Sequence, residues 1–413
     1  MKVTFCAHDY AKVTGGPLAW LLRLLPELKK RGATPKVLFM SEDTSDAPHA
    51  KALEDSGIET VVTKFPQSTE QRVRWYLQQI IDDPPDVFVP THIFPAYYAA
   101  GWIRAAGIPT VGVLHSDDDF YRGVQSEFVF GSDFFRVSGL VCVSEYLTQQ
   151  VMQKSPDNVL IERIPCGVPL VSNSATWSDE TLRLVYVGRL VEEQKRISEL
   201  TQALCRATRE IPGVDAVLYG EGADRQNVEK ILMGEGRALS EWLPGLIPVD
   251  KVQGHLLKQQ VFVLLSDYEG LPVALMEAMA CGLVPVCLEM KSGVPELVQN
   301  NVNGLLVADR GDDFVSAVRK LRLDEKLWRR LSAAAKETVK DEYSNAVAAE
   351  KWMDLLMRLK EKESPSKVLT MPGKMKLPHA HPGLDVMFSP DLSSRRAVLK
   401  YRLEKRMKKF FRK

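Results

Sequence analysis

The chain lacks three things: cysteines at motif spacing, any apolar run of membrane length, and net charge. Its six cysteines (Cys6, Cys142, Cys166, Cys205, Cys281, Cys287) are scattered, with no CxxC pair. That excludes zinc-ribbon and dithiol motifs and leaves buried free thiols in a reducing compartment. No apolar stretch approaches the ~20 residues that cross a bilayer. Only Val3–Ala7 precedes His8 and Asp9 at the N-terminus, too short for a signal-peptide core, so a cytoplasmic protein is expected. A net charge of +1 provides no field for general nucleic-acid binding.

What is present is an ordinary α/β composition over 413 residues, enough for more than one domain. Strand-like apolar runs recur with helical segments between them: Val3–Ala7, Lys36–Met40, Val87–Val89, Thr110–His115, Leu140–Ser144 and Val159–Ile164. Such alternation predicts a parallel sheet with helices on both faces. An amphipathic helix runs from Leu18 to Lys30 and stops at Gly32. The stretch Pro165–Asp179 is rich in Pro, Gly, Ser and Asn and reads as a linker. A second strand series follows: Leu184–Val187, Val217–Tyr219, Val261–Leu265, Val284–Leu288 and Leu305–Ala308. Two doubly wound sheets facing across a cleft are therefore expected.

Ligands of such sheets bind beyond the carboxyl ends of the strands, so the loops there carry the chemistry. Thr14-Gly15-Gly16-Pro17 admits close backbone approach to a ligand with a helix behind it, although paired glycines also make a plain turn. Pro90-Thr91-His92 and Leu114-His115-Ser116 follow two further strands. His115 there is either a structural hydrogen-bonder or a ligand contact. Asp117, Asp118 and Asp119 suggest a divalent metal, but three adjacent carboxylates diverge, so a solvated loop or an acceptor contact fits better.

In the second half, Gly188-Arg189-Leu190 and Lys195 follow one strand, and Gly220-Glu221-Gly222 follows the next. Arg189 can fork two phosphate oxygens and Lys195 adds a point charge; alone, both also read as surface cations. The stretch Ser266–Leu288 reads as strand end, turn, helix (Val273–Ala280) and strand, with Gly270 and Pro272 punctuating the turn and Gly282 closing the helix. Glu269 and Glu277 bracket it. Free N–H groups of Gly270 and Leu271 at a helix start suit an anion. By spacing alone, Glu269 reads equally as a solvated loop residue and Glu277 as a helix-face residue.

Taken in order, these elements resemble a GT-B fold retaining glycosyltransferase of family 4. The carrying residues are Gly15-Gly16, His115 after IPTVGVLH, VSEYL (143–147), IPCGVP (164–169), GRLVEEQK (188–195), GEG (220–222), the E-x7-E pair Glu269/Glu277, GVPELV and NGLLV. The resemblance spans roughly residues 1 to 355. It implies an acceptor-side domain over 1–169, a linker over 170–179, a donor-nucleotide domain over 180–344, and a helix over 345–362 crossing back to the first domain. It further implies that Arg189 and Lys195 hold the diphosphate of a nucleotide-sugar donor, with Gly188 in the same loop. Glu277 would accept from the ribose hydroxyls, while Glu269 and the amides of Gly270 and Leu271 contact the transferred sugar and phosphate. Glu221 and Gly222 would lie near the nucleoside, Gly15 and Gly16 near phosphates or acceptor, and His115 near the sugar. The implied activity is metal-independent transfer to a glycan or lipid-linked acceptor in surface glycoconjugate synthesis. No cofactor beyond the donor is expected. A sugar-nucleotide epimerase, a phosphorylase and a non-catalytic scaffold are the alternatives on this architecture.

Three positions depart from the family pattern and bear on loop shape: Ser292 and Arg196, where glycine is usual, and Cys166, where asparagine is common. The loops around His92, Asp117–Asp119 and Trp242 are expected to set specificity. Beyond a Pro-rich stretch over 364–394, the segment Arg395–Lys413 holds ten Lys/Arg and a single acid, Glu404. Leu399, Leu403, Met407 and Phe410 recur there at helical spacing. That pattern describes a basic amphipathic helix suited to an anionic membrane surface, or one docked on its own protein, or a disordered tail.

Overall fold

The structure is a computed structural model and describes residues 1–9, 16–154, 158–248, 251–290, 292–362 and 367–378. Gly15 and the whole basic segment 395–413 lie outside the described residues, as do 364–366 and 379–394 of the Pro-rich stretch.

The strands are parallel and most are buried on both faces, as helix-covered sheets require. In the first half these are β1 (Lys2–Asp9), β2 (Thr34–Ser41), β3 (Glu59–Lys64), β4 (Val87–Pro90), β5 (Val111–Leu114), β6 (Gly139–Cys142) and β7 (Leu160–Arg163). They pair in the orders β3-β2-β1-β4 and β5-β6-β7. A parallel bridge between Phe88 and Thr110 continues one set into the other. The second half supplies β8 (Leu182–Val187), β9 (Val214–Tyr219), β10 (Val261–Leu264), β11 (Val284–Leu288) and β12 (Leu305–Val307), in the order β12-β11-β10-β8-β9. Both orders are doubly wound. Each reverses direction once, between β1 and β4 in the first sheet and between β8 and β10 in the second.

By contacts the chain divides into two compact units: Met1–Cys142, Thr148–Ile164 and Glu350 onward in the first, Val143–Leu147 and Pro165–Ala349 in the second. The helix Asn345–Lys362 belongs to the first unit from Glu350 on because it carries an apolar stripe. Trp352, Leu355, Leu356 and Leu359 are all buried. Trp352 meets Phe5 of β1 at 6.2 Å and Trp20 at 5.7 Å between ring centroids, so strand, first helix and last helix share one aromatic cluster. In the second unit Trp328 packs on Trp177 at 5.7 Å, and its indole N–H donates to the Gln260 carbonyl at 3.1 Å.

Two details differ from the sequence reading. Strand β3 was not anticipated: its residues ETVVTK are half-buried at a sheet edge and lack a continuous apolar run. The Pro/Gly-rich stretch 165–179 is tied into the second unit. Val168 N–H donates to the Tyr343 carbonyl at 2.9 Å, and Ala175 N–H to the Cys281 carbonyl at 2.8 Å. All six cysteines are buried free thiols, as their apolar neighbourhoods predict.

Candidate active site

The second sheet reverses between β8 and β10, and the loops leaving those two strands are joined by one hydrogen-bonded chain. After β8, Tyr186 donates its hydroxyl to the Arg189 carbonyl at 2.8 Å, fixing the turn. Arg189 is exposed, and its Nη2 donates to Gln194 Oε1 at 2.7 Å. Gln194, in the short helix Glu192–Lys195, donates Nε2 to the Tyr268 carbonyl at 3.0 Å and to Glu269 Oε2 at 3.4 Å. Its own carbonyl accepts from Asp267 N–H at 2.9 Å. Lys195 Nζ lies 2.5 Å from Glu269 Oε1. The Glu269 side chain is 6% exposed and that of Lys195 13%, so the pair is largely withdrawn from water. Burial of such a pair costs desolvation, so its weight shows when one partner is removed and the other is left as an uncompensated buried charge.

The glycines here are places of close approach. A Cβ on Gly220, at the end of β9, would fall 1.9 Å from the Gly188 carbonyl oxygen. Gly188 N–H in turn donates to the Tyr219 carbonyl at 3.0 Å, and Leu190 N–H to the Glu221 carbonyl at 2.9 Å. The turns after β8 and β9 therefore touch backbone to backbone. Gly293 plays the same part against the loop after β10: its N–H donates to the Gly270 carbonyl at 3.0 Å, and a Cβ would meet that oxygen at 2.1 Å. The amide N–H groups of Gly270 and Leu271 donate to no described group, and the helix Val273–Ala280 starts just beyond them with no side-chain cap. Together with the Arg189 guanidinium they make a donor-rich edge suited to an anion.

Other expected residues fall at varying remove from this cluster. Glu277 is buried at 6% exposure in the second turn of the same helix. Glu221 and Gly222 are exposed after β9, and Glu221 pairs with Arg225. Gly16 is exposed and opens the first helix, in the first unit. Trp242 is buried beneath the Arg237 guanidinium, 4.8 Å from its ring centroid. Arg196 adopts φ +48 and ψ +47, so the loop keeps a left-handed turn even without glycine.

His115 follows β5 in the first unit, against Trp20 at 4.8 Å and Tyr121 at 6.1 Å. Burial pushes its pKa down to about 3, with His92 adding to the effect. His92, after β4, sits 2.9 Å from the Tyr121 hydroxyl through Nδ1 and against the Phe120 ring at 4.5 Å. Burial lowers it to about 4. His8, in β1, is held at about 3 by burial, with His92 and Arg72 nearby. The carboxyl edge of the first sheet thus carries these three imidazoles and aromatic rings, with Asp9, the last residue of β1, buried against His49 Nδ1 at 2.6 Å.

The three consecutive aspartates do not converge. Asp118 caps the helix Asp119–Phe128 by accepting from Tyr121 N–H at 3.1 Å. Asp117 pairs with Arg122 at 3.0 Å, and Asp119 lies 3.6 Å from the same arginine. Among the described residues no group of three His, Cys, Asp or Glu could hold a metal ion. Among them, too, no helix is long and apolar enough to cross a membrane.

Sequence reasoning missed Gln194, which joins more of the site than any residue it named. Its position between two charged residues of one motif was visible, but the partner loop lies more than seventy residues away.

Comparison with known proteins bears on the same regions. Residues 170–338 match the family model described as "Glycosyl transferases group 1", and residues 14–171 match "Glycosyltransferase Family 4". The chain is 33% identical over 292 residues to the putative colanic acid biosynthesis glycosyltransferase WcaL of Salmonella typhimurium, covering 66% of this chain and 71% of that one. It is 32% identical over 189 residues to the amylovoran biosynthesis glycosyltransferase AmsK of Erwinia amylovora, covering 44% and 46%. The chain spans about half the length of several curated relatives that it matches, AmsK among them. Among solved structures, Anabaena Alr3699/HepE in complex with UDP and glucose superimposes with a TM-score of 0.68 at 17% identity, over 87% of this chain and all of that one. At that identity the likeness concerns the fold, which is GT-B: two doubly wound α/β domains.

Proposed function

Because the chain belongs to the glycosyl transferases group 1, we propose that it moves a sugar from a nucleoside-diphosphate donor to an acceptor hydroxyl in the synthesis of a surface polysaccharide or other glycoconjugate. The observation that carries this reading is the linked set Arg189, Gln194, Lys195 and Glu269 at the reversal of the second sheet, beside the amides of Gly270 and Leu271, which donate to no described group. A leaving diphosphate gathers negative charge as the glycosidic bond breaks. Arg189, Lys195 and those amides would stabilise that charge where it develops, with no metal in the step. Glu269 would orient the transferred sugar and Glu277 the ribose.

Transfer would retain the anomeric configuration by front-face substitution, the donor phosphate oxygen taking the acceptor proton. His115 would then act as a neutral hydrogen-bonding group toward the sugar, in keeping with its depressed pKa. Relatives named for colanic acid and amylovoran biosynthesis support the glycoconjugate setting, and the structural likeness to a UDP-bound protein supports a nucleotide-sugar donor. The basic segment 395–413 would bring the enzyme to an anionic membrane surface if the acceptor is lipid-linked.

Titration of the full chain with UDP, GDP and ADP, followed by assay of nucleoside diphosphate release from the matching sugar donors, tests the reading. Binding of one diphosphate and its acceptor-dependent release are expected. No binding of any of the three would overturn the proposal. For the tail, sedimentation with anionic vesicles should drop when the chain is truncated after Ser364; equal sedimentation would remove the membrane role.

A further inference from the structure

The two cations of the site are not equivalent. Lys195 lies against a carboxylate, Glu269, at 2.5 Å, so much of its charge is already compensated. Arg189 is held instead by a neutral carbonyl oxygen, that of the Gln194 amide, at 2.7 Å. We infer that Gln194 is a positioning residue that aims the Arg189 guanidinium at the donor diphosphate while leaving its charge unspent. This deepens the donor-binding reading above and rests on it.

The chemistry of the side chain carries the argument. A carboxamide offers an acceptor at one end and donors at the other, and here both ends are used. The oxygen takes Arg189, while the nitrogen gives to the Tyr268 carbonyl and leans on Glu269 Oε2 at 3.4 Å. The residue is 8% exposed, so each of these bonds stands in place of water. No other uncharged side chain of this length can accept from a guanidinium and donate to a carboxylate at once. A carboxylate of the same shape would neutralise Arg189 and stand like-charged beside Glu269. An apolar side chain of the same length would free the guanidinium to swing, at an entropic cost on binding. The backbone adds to the side chain, since the Gln194 carbonyl receives Asp267 N–H at 2.9 Å and locks the helix Glu192–Lys195 to the loop after β10.

The Gln194 side chain bonds Arg189, the Tyr268 carbonyl and Glu269; Lys195, Tyr186 and Cys287 interact with Glu269, and the Asp267 carboxylate is paired with Arg310 and Arg196. Burial keeps Tyr186 and Cys287 protonated. A substitution at Gln194 therefore acts directly on Arg189 and Glu269, and through Glu269 on Lys195.

The test uses calorimetric titration of the full chain with whichever of UDP, GDP or ADP the unaltered protein binds, at two salt concentrations, beside thermal melts. Gln194→Glu should weaken binding by about tenfold or more and flatten the salt dependence, because one cation has been cancelled. Gln194→Met should weaken it by about threefold to fivefold with the salt dependence unchanged. Equal losses in both variants with the same salt dependence would show a structural role and overturn the inference. So would affinity in Gln194→Glu within about twofold of the unaltered chain. If Gln194→Glu does not fold, Gln194→Met decides: affinity within about twofold of the unaltered chain overturns the inference, and a larger loss upholds it. Absence of binding by the unaltered chain would instead overturn the donor-site reading, and the inference with it.

Discussion

The carboxyl edges of the two sheets share a topology and differ in what lines them. Each sheet reverses once, and loops leave the strands on either side of the reversal. In the second sheet those loops hold Arg189, Lys195 and Glu269, joined through an amide. In the first, His8 at the end of β1, His92 after β4 and His115 after β5 have their pKa values lowered by burial among aromatic rings. The fold provides the crevice, and loop residues decide what it receives. A charged edge suits a diphosphate, whereas a neutral imidazole and aromatic edge suits hydroxyls and sugar faces.

Removing the charge on the second edge should have the largest effect. Arg189→Ala should reduce sugar transfer by on the order of 10²–10³ while leaving the melting temperature close to that of the unaltered chain, because Arg189 is exposed and held by a neutral group. Lys195→Ala should cost as much in rate and also some stability, roughly 1–3 kcal/mol, because buried Glu269 loses its cation. Near-normal transfer in both variants would erase the contrast between the edges.

Next in size is the backbone contact that brings the β8 and β9 turns together. Gly220→Ala should destabilise the chain by more than about 2 kcal/mol, since the new methyl group would overlap the Gly188 carbonyl. Denaturant unfolding measures this, and an unchanged midpoint would show that the two turns can separate freely.

The first edge should reveal itself through acid sensitivity. An unfolded histidine titrates near 6.5, whereas His92 is held at about 4 and His115 at about 3. Below pH ~6.5 the unfolded chain therefore binds more protons than the folded one. The contribution of these groups is present above pH ~6.5 and is lost as pH falls from there toward 4. Each should cost on the order of 1 kcal/mol by pH 5, allowing for partial exposure. Unfolding midpoints from pH 7.5 to 4.5 for the unaltered chain and His92→Gln measure it, and the variant should show the shallower acid decline. Parallel profiles would mean that His92 does not titrate between the two states.

The smallest change should come from Arg196→Gly. Relief of the left-handed backbone is offset by loss of exposed ion pairs to Glu199 and Asp267, so stability should move by less than about 1 kcal/mol. A shift above about 2 kcal/mol in the melting profile would show that the side chain supports the site loop.

Much of this could be read before any coordinates. The helix Val273–Ala280 and the strand Val284–Leu288 appear with the expected bounds, because an apolar run between Pro and Gly leaves the chain few choices. Strand β3 was hidden because an edge strand needs no continuous apolar run. The divergence of aspartates 117–119 was legible from their adjacency, but their partners were not: one caps a helix and two meet Arg122.

The sequence by itself determined that this chain is two doubly wound α/β domains and which loops end at strand tips, because periodicity and turn residues act locally. Tertiary structure alone decided which cation is spent on Glu269, which is held by a neutral amide, and that the two edges differ in charge. Those outcomes depend on parallel strands bringing together loops far apart in the chain, and hydrogen bonds across such distances leave no local pattern.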